Sequence, residues 1–166
     1  MAAKEGGGDL AAGIDPETLE KAIRSWQVDD PRRLLGRGHP VGDFLEADRW
    51  EVLERAPGRL LLRCEFPEQV RNLRGELFGG FAPTYVDLVA LHTVREGIPP
   101  DAPRTPLVTA DLRVDFFEPI RGPWFRIRSE VLHRGGRTWH VQTRFLSDPD
   151  EELLAQALTT LLAVRG

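Results

Sequence analysis

The stretch from Asn72 to Val94, NLRGELFGGFAPTYVDLVALHTV, constrains this chain more than any other. A glycine pair, Gly79-Gly80, opens an apolar helical run, and that run holds one carboxylate, Asp87. Tyr85, Val86, Leu88, Val89, Ala90 and Leu91 make the helix apolar around most of its circumference, so other elements have to cover it on most sides. Up to Gly97, where Ile98-Pro99-Pro100 forbids continuation, the run is roughly five turns long. A lone acid inside it is expensive to bury, so Asp87 is expected to have partners or a raised pKa.

The cover is legible on both sides of the helix. Upstream, RWEVLER and RLLLRCEF flank Ala56-Pro57-Gly58 and predict a hairpin, with Leu60, Leu62, Cys64 and Phe66 on one face and Leu61, Arg63 and Glu65 on the other. Downstream, LVTADLRVDFF alternates Val108, Ala110, Leu112, Val114 and Phe116 against Thr109, Asp111, Arg113 and Asp115. WFRIRSEVLH and RTWHVQTRFL alternate likewise around a turn at Arg134-Gly135-Gly136, the second with Trp139, Val141, Thr143 and Phe145 on one face. The last apolar stretch, ELLAQALTTLLAV, is predicted as a strand because of Thr159, Thr160 and Val164 and its place after three strands. An α+β fold results, with an antiparallel sheet wrapped around one long central helix.

Ahead of this domain, assigned to residues 48–166, the Asp15-Pro16-Glu17 start predicts a short helix to about Gln27. Residues 15–47 form that helix and a covering loop, and residues 1–14 a disordered leader. The chain carries 22 basic and 26 acidic residues, a net charge of −4, interspersed without blocks. Nothing in that pattern suggests a nucleic-acid or membrane-surface partner. Cys64 is the sole cysteine, so no internal disulfide forms. With no apolar run of signal or membrane-spanning length, a cytoplasmic setting is expected. His39, His92, His133 and His140 have no metal-ligand or triad spacing and read as structural or solvent-facing, so no metal is expected.

The element order, with NLRGELFGG followed by Asp87, resembles the hotdog-fold PaaI-like acyl-CoA thioesterases of the 4-hydroxybenzoyl-CoA thioesterase superfamily. Their signature is an Asn-Pro-x-Gly-x-x-His-Gly-Gly loop running into the hotdog helix, with an acid further along. Asn72, Gly75, Gly79, Gly80 and Asp87 match it, while Leu73 stands for the proline and Phe78 for the histidine. VTADLRVDFFEPIRG and the closing strands are similar as well.

That resemblance implies thioester hydrolysis. Unpartnered N–H groups at Gly79 and Gly80 would stabilise an oxyanion, although the pair also serves a sharp loop-to-helix turn. Asp87 would be nucleophile or general base, two routes left open here, or else a structural carboxylate. Asn72 would orient water or the carbonyl, with ordinary turn chemistry as the alternative. Thr109 would fix Asp87, or simply be a strand threonine. Arg134, Gly135, Gly136 and Arg137 would meet the CoA phosphates, or form a solvated turn. Phe78, Phe81 and Tyr85 would line an acyl or aryl pocket. No cofactor is implied, CoA being part of the substrate, and an acyl carrier protein stays open as the carrier. Relatives form homodimers, or dimers of dimers, with each site shared between two chains. Because Phe78 supplies no hydrogen bond, a non-catalytic acyl-CoA-binding hotdog module is the second reading.

Overall fold

A computed structural model describes residues 16–99, 102 and 106–164, and the expected leader over residues 1–14 lies outside them. Helix α1 (Pro16–Ser25) follows the Pro16-Glu17 start and ends two residues before the expected Gln27. The loop after it contains a one-turn helix, α2 (Pro40–Phe44), whose first turn is capped by His39 Nδ1 accepting the Gly42 N–H at 3.0 Å. Leu34, Leu35 and Leu45 from this segment are buried in the same core as the strands, so the loop covers as its composition requires.

The sheet has six strands: β1 (Glu51–Ala56), β2 (Arg59–Glu65), β3 (Leu107–Phe116), β4 (Trp124–Gly135), β5 (Thr138–Ser147) and β6 (Leu153–Ala163). Their spatial order is β1-β2-β4-β5-β6-β3, and every neighbouring pair is antiparallel. Edges therefore fall on β1 and β3. The period-two faces appear as read: Leu60, Leu62, Cys64 and Phe66 are 0–2% exposed, as are Val141, Thr143 and Phe145, with Trp139 at 7%. The last stretch is a strand, as β-branched Thr159 and Thr160 indicated.

Helix α3 (Ala82–Arg95) lies against the inner face of this sheet. At 14 residues it is about four turns rather than five, because Gly79–Phe81 forms a separate 3-10 turn ahead of it. Ala82, Tyr85, Val86, Val89, Thr93 and Val94 form its covered stripe. Each large apolar side chain removed from water here contributes roughly 1.5–3 kcal/mol, so this stripe sets the helix rotation and with it the direction of Asp87. The Thr93 hydroxyl in the stripe is paired: its Oγ1 lies 2.8 Å from Ser129 Oγ, which lies 3.2 Å from Thr143 Oγ1.

Candidate active site

The loop before α3 is built by its own side chains. The Asn72 carboxamide oxygen accepts the Arg74 and Glu76 N–H groups at 2.8 and 3.1 Å, and its Nδ2 donates to Glu76 Oε2 at 3.2 Å. Asn72 thus does the turn chemistry that was the alternative to a substrate role, with both acceptor directions of its oxygen in use. Gly75 completes the turn at φ +76°, a conformation that favours glycine. Two backbone bonds then tie the loop down, Leu77 N–H to Ile120 O at 2.9 Å and Phe78 N–H to Val70 O at 2.8 Å.

Gly79 and Gly80 follow in the 3-10 turn, both exposed. Phe78 stands at the N-cap position, where its side chain makes no capping bond. The Phe81 and Ala82 N–H groups are taken by Phe78 O and Gly79 O. The glycine N–H groups head the turn, where helical geometry supplies no partner, at the positive end of the helix dipole. At position 80 the fit is close, since a Cβ there would lie 2.8 Å from Phe78 Cε1 and the exposed ring would have to swing aside. One at position 79 would sit 3.6 Å from Phe116 Cζ, so Phe78 and Phe116 flank the donors.

Asp87 lies two turns further along α3 and is half-buried, less enclosed than a carboxylate in an apolar run is expected to be. Its Oδ1 accepts a hydrogen bond from the Thr109 hydroxyl. Strict alternation along β3 puts Thr109 on the face away from Leu112 and Val114, and the structure corrects this. A bulge between Thr109 and Asp111 shifts the register, so Thr109 pairs with buried Leu161 while Leu112 and Val114 pair with buried Thr159 and Ala157. The one extra residue, Ala110, turns Thr109 towards the helix.

The proposed pocket residues separate. Phe78 is 54% exposed, and Phe81, half-buried, has ring centroids at 6.0 Å to Phe78 and 5.6 Å to Phe44. Tyr85 is fully buried between Trp50, Phe125 and Phe145, with centroids at 5.3, 5.5 and 6.5 Å. It is a core residue, which corrects its placement in an acyl pocket. Burial raises its phenol pKa, and its hydroxyl has no hydrogen-bond partner among the described residues.

The turn over residues 134–137 lies at the other end of the helix. Arg134 and Trp139 line a groove of about 500 Å³ with Gly58, Val94 and Ile98, beyond the C-terminal half of α3. Fourteen helical residues, roughly 21 Å, separate that end from the glycine pair. Both arginines have intramolecular partners. The Arg137 guanidinium donates twice to Ala163 O, at 3.0 and 2.7 Å, and Arg134 stacks on the Trp139 ring at 5.2 Å. Among the described residues no group of three or more His, Cys, Asp or Glu side chains could hold a metal ion.

Two residues without a role in the sequence reading belong to this neighbourhood, Glu76 and Phe116. Glu76 is a single acid in a polar loop, and Phe116 ends a strand whose phase the bulge alters, so neither carries a signal in the letters alone.

A six-stranded antiparallel sheet laid over one long helix, with a glycine turn at the helix start and an acid on its flank, is the hotdog arrangement. The model of the thioesterase superfamily matches residues 74–154, from the glycine loop to the start of β6. A protein of Saccharolobus solfataricus whose name assigns it provisionally to the esterases is 25% identical over 146 residues, covering 83% of this chain and 96% of its own. A thioesterase family protein from Silicibacter pomeroyi has a similar structure, with a TM-score of 0.65 and 22% identity over 77% of this chain and 91% of its own. A hypothetical thioesterase from Streptococcus pneumoniae, solved with coenzyme A, superposes with a TM-score of 0.63 at 15% identity, over 74% and 89% of the two chains. No described helix is long and apolar enough to cross a membrane.

Proposed function

We propose that the chain hydrolyses an acyl-CoA thioester in a site completed by a second copy of itself. The carrying observation is the Asp87–Thr109 pair on the flank of α3, two turns from an uncapped helix start. Thr109 orients the carboxylate, and an oriented carboxylate serves as general base or nucleophile. The Gly79 and Gly80 N–H groups supply the donors that an acyl-transfer oxyanion needs.

Within one chain the two halves do not meet. Donors in the first turn point away from the helix along its axis, which puts the accepting oxygen on the order of 10 Å from the Asp87 carboxylate. A reacting carbonyl needs its attacking atom at about 3–3.5 Å. Pairing two chains along the open β3 edge, beside Thr109, brings one chain's acid to the other's glycines and covers an edge that would otherwise invite aggregation. CoA as the carrier is supported by the Streptococcus pneumoniae neighbour, whose structure contains coenzyme A.

The test is release of free thiol from a panel of short, long and aryl CoA esters by wild type and by Asp87→Asn. Turnover that Asp87→Asn abolishes in a folded protein supports the reading. Full activity in Asp87→Asn refutes the mechanism. The second reading, a non-catalytic acyl-CoA-binding module, is favoured by Phe78, which lacks a polar group at the N-cap. Thermal stabilisation by the panel without hydrolysis would select it.

A further inference from the structure

The Gly79–Gly80 turn has no side-chain cap, since Phe78 offers none, yet its donors must hold their aim to act on a transition state. The surroundings are unpromising for rigidity: Leu73 is 107% exposed, and Arg74, Gly75 and Phe78 are exposed as well. In the middle of this stretch Glu76 is only 6% exposed. A carboxylate so covered must be compensated by hydrogen bonds and opposite charge. Glu76 Oε2 accepts from Arg74 Nε at 2.8 Å and from Asn72 Nδ2 at 3.2 Å, and Oε1 accepts from Arg121 Nε at 3.3 Å.

These partners come from separate parts of the chain. Asn72 and Arg74 are the turn itself, while Arg121 lies 45 residues away, just ahead of β4. The backbone repeats the link, with a bridge between Glu76 and Arg121 beside the Leu77–Ile120 bond. One carboxylate thus joins the glycine loop to the sheet connection, three residues before Gly79.

We infer that Glu76 is the positioning residue for the Gly79 and Gly80 donors, doing by anchorage from behind what a hydrogen-bonding side chain at position 78 would do from in front. It touches no substrate. Its effect on rate runs through the loop, and this role rests on the hydrolysis reading above. A loosened loop leaves ground-state binding through the acyl chain and carrier largely intact and weakens the oxyanion contact, so kcat falls while KM changes little.

The experiment compares wild type, Glu76→Gln, Arg121→Gln and Asp87→Asn by steady-state hydrolysis of the best CoA ester and by amide hydrogen exchange over residues 72–81. Glu76→Gln keeps the side-chain volume but sets an amide N–H₂ against at least one donor. The expected result is a fall of about 10²-fold in kcat, the scale of a misplacement of about 1 Å. KM is little changed, and exchange is faster over 72–81 alone. Arg121→Gln moves both readouts the same way by less, and carries the test if Glu76→Gln does not fold. Asp87→Asn loses kcat with exchange over 72–81 unaltered.

Wild-type kcat in folded Glu76→Gln, or unchanged exchange over 72–81, overturns the inference. Should wild type hydrolyse nothing while Glu76→Gln still loosens 72–81, the hydrolysis reading falls and the anchoring by Glu76 stands.

Discussion

Replacing Tyr85 by phenylalanine should make this protein more stable. The ring is fully buried and packed on Trp50, Phe125 and Phe145, and Phe keeps all of those contacts. What it removes is a hydroxyl that has no hydrogen-bond partner among the described residues. Holding such a group away from water costs about 1–3 kcal/mol, so its removal should gain about 1 kcal/mol once the lost contacts of the oxygen are counted. In a domain of this size that raises Tm by about 2–4 °C. Tyr85→Ala, which deletes the ring, should instead cost about 3–5 kcal/mol. Thermal and urea unfolding read both variants, and a profile of acyl-chain preference is taken alongside. A fall in Tm for Tyr85→Phe would show that the hydroxyl is bonded in solution, and an altered acyl preference would return Tyr85 to the substrate pocket.

Further outcomes follow from the loop, the acid and the outer face of the sheet. Gly80→Ala sets a methyl against the half-exposed Phe78 ring, which can swing aside, so Tm should hold while the crowded donors lower kcat; adding Phe78→Ala should recover part of that loss. Thr109→Val should reduce kcat by freeing the Asp87 carboxylate, with a small change in Tm because Thr109 is exposed in the single chain. For Asp148, burial pushes the carboxyl pKa up, but the hydrogen bonds from Arg63 and Arg126 outweigh it and hold the value below the ordinary 3.8. A depressed folded pKa stabilises the fold fully above 3.8, and that stability is lost as pH falls through the folded value. Urea midpoints should therefore drop at acid pH in wild type, and less steeply in Asp148→Asn.

The parts of the fold written in alternating letters were legible. Leu60 to Phe66 and Trp139 to Phe145 each announce a buried face, and the sheet keeps both, although Leu61 on the other face of β2 is buried as well. Thr109 shows where letters stop: inserting Ala110 as a bulge leaves the apolar-polar alternation unbroken while reversing which face Thr109 takes. A threonine matched only by position thus became a geometric partner of Asp87. Tyr85 was readable and misplaced. At 100° per residue it stands about 200° from Asp87, on the covered stripe of α3, and the core claimed the tyrosine. Glu76 was out of reach, because its meaning depends on Arg121, which only the folded chain brings beside it.

The central claim, hydrolysis at a site shared by two chains, is tested most directly by complementation. Asp87→Asn keeps the glycine donors and lacks the acid; Gly80→Val keeps the acid and blocks the donors. Each alone should be inactive on the best CoA ester. Unfolded together and refolded at equal amounts, half of the dimers are mixed and each mixed dimer holds one complete site, so activity should return to about a quarter of wild type per chain. A mixture as inactive as its components would contradict the shared site, and an Asp87→Asn protein active by itself would contradict the role of the acid.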